Sequence, residues 1–386
     1  PTAPAGYAWE ATSEQVAARY GVALDRIVRF DLNTSPEPPE LASRVLAAGR
    51  FETSLSEYPP SDYRQLVETA AARYGVAPDE ILVGAGADEI LDVVAKTFLP
   101  PAGTAVIPTP SYAMYRVLTE QRPAAVRPVP RLGREAGYAI DMDPTRTAAR
   151  DADLVWLCSP NNPTALAEPD GAIALLLADV AADAERDGRA APVVVLDEAY
   201  AEFSGTSLLA LRSEYRRLVI VRTLSKAYAL AGLRVGFAIA RRPVIAAMEP
   251  FRPPGSVSTT SVSVATAALA DDGIAATAVD RVERERARLA AGLARVGWGV
   301  GPSVTNFVLV GFGSPERCAT VAEGLLRRGL VPRTFPSSHP LADHLRLTVR
   351  STEEDDRLIA AAGEIQSELD AELDPQPTAQ PEATGR

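Results

Sequence analysis

Val193-Val194-Val195-Leu196-Asp197-Glu198-Ala199-Tyr200 begins with four apolar residues that run without a break into a pair of carboxylates. A strand with one wet face alternates apolar and polar residues. An unbroken apolar run predicts a strand covered on both faces, as in parallel sheets flanked by helices. Working outward, the pattern recurs at Ile81-Leu82-Val83, Ala105-Val106-Ile107, Leu154-Val155-Trp156-Leu157, Leu218-Val219-Ile220-Val221 and Val235-Gly236-Phe237-Ala238-Ile239. Helical patterns separate these runs, from Asp88 to Phe98, around Met114 to Glu120, and from Asp170 to Glu185. The expected fold is α/β, a mostly parallel sheet flanked by helices.

The texture changes after Pro253-Pro254-Gly255. A small-residue helix is expected from Val257 to Leu269 and a long charged one from Ile274 to Val296. Then come a strand at Asn306 to Val310, a helix near Glu316 to Arg328, a strand at Leu345 to Val349 and a closing helix. This reads as a smaller α+β C-terminal domain. The expected division is an N-terminal arm over 1–35, a large domain over 36–252, a small domain over 253–369 and a disordered tail over 370–386. The tail is rich in Pro, Glu, Thr and Gln.

Hydrophobic residues make up 47% of the 386 and charged ones 23%, the balance of a soluble globular chain. No apolar run approaches the roughly 18 residues that span a bilayer. Without a basic-then-apolar signal peptide, a cytoplasmic location is expected. Net charge −11 argues against nucleic-acid and anionic-membrane partners. Cys158, ending an apolar run, reads as a small core residue. His339 and His344, with no ligand motif around them, read as exposed loop histidines, and no metal site is expected.

Lysine is scarce. Of 39 basic residues only Lys96 and Lys226 are lysine, so arginine supplies 37 (39 − 2). Arginine stays protonated, whereas a lysine amine can lose its proton and condense with a carbonyl. Lys96 lies in an ordinary amphipathic stretch; the neighbours of Lys226 are more telling.

Four segments carry chemistry: Val83-Gly84-Ala85-Gly86-Ala87-Asp88-Glu89, Ser159-Pro160-Asn161-Asn162-Pro163-Thr164, Asp197-Glu198-Ala199-Tyr200, and Thr223-Leu224-Ser225-Lys226-Ala227-Tyr228-Ala229-Leu230-Ala231-Gly232-Leu233-Arg234. All lie at C-terminal ends of expected strands, where open α/β sheets bind ligands. In this order and spacing they resemble the fold-type-I pyridoxal-phosphate enzymes of aminotransferase class I/II, with histidinol-phosphate aminotransferases the nearest likeness, over about residues 30 to 365. The Gly84–Gly86 stretch also mimics a dinucleotide fingerprint, but Glu89 stands where its third glycine belongs.

The resemblance implies pyridoxal 5'-phosphate as cofactor and assigns roles. Lys226 matches the catalytic amine that holds the cofactor and moves the substrate α-proton. Asp197 matches the anion facing the pyridine nitrogen, and Asn162 and Tyr200 the groups bonded to the ring oxygen. Gly86, Ala87 and Asp88 at a helix start, with Ser225 and Arg234, match the phosphate site. Tyr112, in Pro110-Ser111-Tyr112, matches the aromatic stacked on the ring. Tyr58, in Glu57-Tyr58-Pro59-Pro60, matches the tyrosine reaching the partner subunit's cofactor phosphate, which implies a homodimer with a shared active site. Arg346, in Leu345-Arg346-Leu347-Thr348, matches the receptor of the substrate's anionic group, with Arg333 assisting.

Several positions depart from the resemblance. Ala165 replaces a glycine, and because that position needs a compact residue the exchange is expected to cost little. Leu32-Asn33-Thr34-Ser35-Pro36 replaces Leu-Asn-x-Asn-Glu-Asn-Pro, Gly255 replaces a tyrosine, and Arg350 a glycine. These last three bear on substrate recognition. The expected activity is amino transfer between an amino donor, histidinol phosphate first, and 2-oxoglutarate or glutamate. A threonine-phosphate decarboxylase and an aminotransferase of specialised metabolism are alternatives on the same scaffold. A regulatory ligand-sensing domain is disfavoured, since about 35 residues before the core are too few for a winged helix.

Overall fold

The computed structural model describes residue 6 and residues 8–373. Its strands are β1 (Val28–Arg29), β2 (Ile81–Gly84), β3 (Thr104–Thr109), β4 (Ala125–Pro130), β5 (Leu154–Cys158), β6 (Val193–Asp197), β7 (Leu218–Thr223), β8 (Gly236–Ala240), β9 (Gly299–Val300), β10 (Phe307–Gly311), β11 (Leu330–Val331) and β12 (His344–Thr348). Seven form one sheet in the order β2-β8-β7-β6-β5-β3-β4. Its pairings are parallel except where β8 meets β2 and β7.

Period-2 side-chain alternation explains the unbroken apolar runs. Val194, Leu196, Val155, Leu157, Leu218 and Ile220 enter the core on one face. Val193, Val195, Leu154, Trp156, Val219 and Val221 enter a second core on the other. Every residue of β5, β6, β7 and β8 is buried. With both faces apolar and helix-covered, only the strand ends meet solvent, and function must concentrate there.

Several elements were not expected, among them a strand and a helix beside the large sheet. The strand β4 carries Pro128 and Pro130 and pairs only with β3; prolines are tolerated there because an edge strand has a side with no donors to supply. The helix Arg64–Tyr74 buries only Leu66, Ala70 and Ala71, too sparse an apolar stripe to announce itself.

A second, three-stranded sheet has the order β12-β10-β9 and is antiparallel. The chain enters this region early, because β1 pairs in parallel with β11 and Val28 and Phe30 join the smaller core. The helix Thr259–Ala270 and the first half of the helix Asp272–Arg295 pack instead on the large-sheet core. Leu289 and Leu293, further along the same helix, belong to the smaller core. The closing helix runs Thr352–Leu373, so residues 370–373 of the expected tail are helical, and the rest of that tail lies outside the described residues. Among the described residues no single helix is long and apolar enough to cross a membrane.

Both histidines differ from expectation. His344 opens β12, is buried, and shares a hydrogen bond of 2.6 Å with Asp343 Oδ1. His339 is half-buried and stacks on Phe335 at 4.8 Å. Each has a local packing role that a loop assignment could not show.

Candidate active site

The C-terminal ends of β2, β5, β6 and β7 lie on one edge of the large sheet, since β8 runs against both its neighbours. A cavity of about 430 Å³ opens there, lined by Ala87, Asp88, Tyr112, Asn162, Asp197, Tyr200, Ser225, Lys226, Arg234, Arg333 and Arg346. Of the sequence-assigned residues, Gly86 stands immediately behind this lining. Tyr58 is elsewhere, 91% exposed on the surface.

Lys226 follows β7 by three residues, and its Nζ donates to the carbonyls of Asn33 at 3.2 Å and Leu32 at 3.5 Å. Burial pushes the amine down to about 8, helped by the Arg346 and Arg234 cations and opposed by Asp88 and Asp197. Desolvation disfavours the charged form, so a large share of this lysine is a neutral nucleophile near pH 8. Lys96, by contrast, pairs with Asp92 four residues earlier on the helix Gly86–Phe98, at 2.5 Å.

Asp197 ends β6, buried, with its two oxygens held separately. Ala199 N–H donates to Oδ1 at 3.0 Å and the Tyr115 hydroxyl to Oδ2 at 2.8 Å. Burial pushes this carboxyl up to about 6, while those two hydrogen bonds pull the other way. Near neutral pH it is therefore an anion sitting close to its own titration.

The helix Gly86–Phe98 begins at the end of β2 with no side-chain cap on its first N–H groups. Arg234 lies across this start and bonds Asp88 Oδ2 at 3.2 Å, while the Tyr112 hydroxyl donates to Asp88 Oδ1 at 3.0 Å. Two glycines make the approach possible. A Cβ on Gly86, whose φ is +84°, would come within 2.5 Å of Arg234 Nη2; one on Gly236 would meet the Gly86 carbonyl carbon at 2.5 Å. Arg234 itself sits at φ 53°, in the left-handed region that side chains pay about 1–2 kcal/mol to enter. Open N–H groups at a helix start beside a guanidinium form an anion site. Ser225 adds a hydroxyl, which accepts from Thr223 Oγ1 at 3.0 Å.

Arg346 projects from β12 and is buried. Its Nη1 donates to Asn162 Oδ1 at 2.7 Å and its Nη2 to the Asp31 carbonyl, and its guanidinium lies 5.4 Å from the Phe307 ring centre. Arg333 is bridged to it through the backbone, with each N–H donating to the other's carbonyl at 3.1 Å. The side chain of Arg333 donates to the Ala8 carbonyl at 2.8 Å.

Three contributors went unassigned in the sequence. Asn33, at φ 53°, donates through Nδ2 to the Tyr200 hydroxyl at 2.9 Å, and its N–H bonds Thr348 Oγ1 at 2.9 Å. Tyr115 secures Asp197; its one signal was lying three residues after Tyr112 on a helical face. Trp9 lines the cavity from the N-terminal arm and had no signal in the sequence.

The departures also find places. Ala165 is wholly buried at φ 69°. The expectation that a compact residue suffices there is corrected: the position requires a left-handed backbone, so alanine carries strain that glycine would not. Arg350 Nη1 donates to the Thr34 carbonyl at 3.3 Å and Nη2 to Glu354 at 3.0 Å, bracing the loop whose carbonyls receive Lys226. Gly255, at φ +67°, abuts Tyr58, whose ring carbon would lie 3.8 Å from an added Cβ.

The cavity thus sets a lysine of depressed basicity and a buried acid beside an anion cradle at the ends of parallel strands, a set able to hold an anionic ligand and react with a carbonyl. The profile of the class I and II aminotransferases matches residues 31–361, and the chain belongs to that family. It is an aminotransferase. The histidinol-phosphate aminotransferase of Symbiobacterium thermophilum is 37% identical over 349 residues, 88% of this chain and 90% of that one. Its namesake, numbered 2, from Archaeoglobus fulgidus is 34% identical over 343 residues, covering 88% and 93%. Among solved structures, histidinol-phosphate aminotransferase from Sinorhizobium meliloti, in complex with pyridoxal-5'-phosphate, shares the fold at TM-score 0.83 and 23% identity, covering 94% and 96%. L-threonine-O-3-phosphate decarboxylase from Porphyromonas gingivalis also shares it, at TM-score 0.73 and 23% identity over 89% and 100%.

Proposed function

We propose that this aminotransferase moves the amino group of histidinol phosphate to 2-oxoglutarate, using pyridoxal 5'-phosphate held at Lys226. The observation that carries the reading is one cavity shared by Lys226, Asp197, the start of the helix Gly86–Phe98, and two arginines, Arg346 and Arg333. The donor set suits the cofactor. The glycine-lined helix start and Arg234 suit its phosphate, with N–H groups of Gly86, Ala87 and Asp88 and the Ser225 hydroxyl. Asp197 suits its ring nitrogen, Asn162 and Tyr200 its ring oxygen, and Tyr112 the face of its ring. When bound, the cofactor supplies a carbonyl that takes the amino group and a ring that spreads developing negative charge.

The chain's own groups do the rest. Lys226 Nζ, neutral in large part near pH 8, is able to take the proton from the substrate α-carbon and return it. Arg346, rigid on its strand, receives the anionic group beside the reacting amine: a carboxylate in glutamate, a phosphate in histidinol phosphate. The Asp88 carboxylate ties down Arg234 and Tyr112. Tyr58, exposed on the surface, is free to meet a second copy, and the reading includes a homodimer in which Tyr58 reaches the partner's cofactor phosphate. A cytoplasmic location and a division into large and small domains belong to the same reading.

The test is a donor panel with 2-oxoglutarate, containing histidinol phosphate, threonine phosphate and common amino acids, followed by glutamate formation and by carbon dioxide release. Histidinol phosphate should be turned over best. Carbon dioxide from threonine phosphate would favour the decarboxylase, and inert histidinol phosphate beside another active donor would favour specialised metabolism.

A further inference from the structure

Asp197 is gripped from two sides, by the Ala199 N–H at 3.0 Å and by the Tyr115 hydroxyl at 2.8 Å. Tyr115 is wholly buried and lies outside the cavity lining; it meets the site through its hydrogen bond to Asp197, through the Tyr112 ring edge-on at 5.7 Å, and through Cys158 beside its hydroxyl. Packing aims its hydroxyl. The ring stacks on Trp156 at 5.3 Å with planes 6° apart. Trp156 Nε1 donates to Thr119 Oγ1 at 3.1 Å, and Thr119 donates in turn to the Tyr115 carbonyl at 2.7 Å. These contacts fix the ring, and its hydroxyl reaches Asp197 with Cys158 beside it.

We propose that Tyr115 is a positioning residue, which keeps Asp197 an anion and turns its remaining lone pairs toward the cavity. The proposal rests on the reading of Asp197 as partner of the cofactor's ring nitrogen. Other groups face Asp197 as well: Cys158 from β5, Asp88 from the helix start, Tyr200 just beyond β6 and Lys226 beyond β7. Burial drives the carboxyl upward and Asp88 adds to that; among the opposing influences Tyr115 comes first, ahead of Ala199 N–H and Lys226. Burial also holds the Tyr115 phenol well above its ordinary range, so it remains a donor throughout the working pH.

Tyr115→Phe keeps the ring and its stack and removes only the donor. Without it Asp197 becomes the stronger base and draws the proton from the ring nitrogen. Holoenzyme carrying nitrogen-15 in the cofactor ring should show that resonance moving toward its unprotonated position at fixed pH. The loss of a hydrogen bond to a charged group should lower kcat about ten- to a hundredfold, with KM little changed. In an Asp197→Asn background the same change should cost nothing further. An unmoved resonance, or a kcat loss that adds fully to that of Asp197→Asn, would overturn the proposal and mark Tyr115 as packing alone. A wild-type holoenzyme whose ring nitrogen is unprotonated would overturn the reading of Asp197 beneath it.

Discussion

The two walls of the cavity are built by different means. One is made of loops leaving β2, β5, β6 and β7, strands buried on both faces, so Gly86, Asn162, Asp197 and Lys226 inherit the rigidity of the sheet. The other comes from β12, from Arg333 bridged to it, and from the loop at 31–35. That loop is held by discrete bonds: Arg350 to the Thr34 carbonyl, Arg281 to Ser35 Oγ at 3.3 Å, and Asn306 to the Asn33 carbonyl at 2.9 Å. In the proposed function the first wall carries the reaction and the second receives the substrate. A loop tied by single bonds can change its residues without disturbing the sheet, and the departures at Ser35, Pro36 and Arg350 fall in or beside this loop, outside the cavity lining itself.

Breaking the second wall should leave the first able to work. Arg346→Ala removes a charge-assisted contact to either substrate's anion, worth about 1.5–3 kcal/mol, or roughly ten- to a hundredfold in kcat/KM for each half-reaction. Single-turnover measurements of each half-reaction check this; a loss confined to one would show that the arginine is not shared. The same variant should shift the amine. Arg346 is a cation that disfavours protonated Lys226, so its removal should raise the Lys226 pKa from about 8 toward its ordinary 10.5. In apoprotein, the pH dependence of Lys226 acylation should move upward accordingly. A downward or absent shift would show that burial alone sets the value.

Ala165, on the loop leaving β5, is a strained position of the first wall, and its repair gives the smallest effect. Ala165→Gly relieves a left-handed alanine, partly offset by added freedom of the unfolded chain, for a net gain of about 1 kcal/mol. Equilibrium denaturation checks it, with the midpoint rising and the m-value unchanged. A lowered midpoint would mean that the buried methyl group contributes more than the strain costs.

What was legible in the sequence follows the same contrast. The sheet could be read because double-sided burial leaves unbroken apolar runs, and the strand-end motifs because short loops keep chemistry close in sequence to the strand that carries it. The strand β4 was missed because its prolines imitate a loop. Tyr115 and Asn33 were missed because their partners, Asp197 and Tyr200, stand 82 and 167 residues away, and only the fold brings them together. Ala165 was read by size, when backbone dihedral decides it. His344 was read as exposed because a buried histidine bonded to its own neighbour has no pattern of its own.

The central claim is that Lys226 is the amine that holds the cofactor. Protein loaded with pyridoxal phosphate should absorb as a lysine adduct, and borohydride reduction followed by peptide mass mapping should place the fixed cofactor on Lys226, with none after Lys226→Arg. An adduct on Lys96, whose ammonium is already paired with Asp92, or unreduced cofactor that dialyses away from wild-type protein, would contradict it.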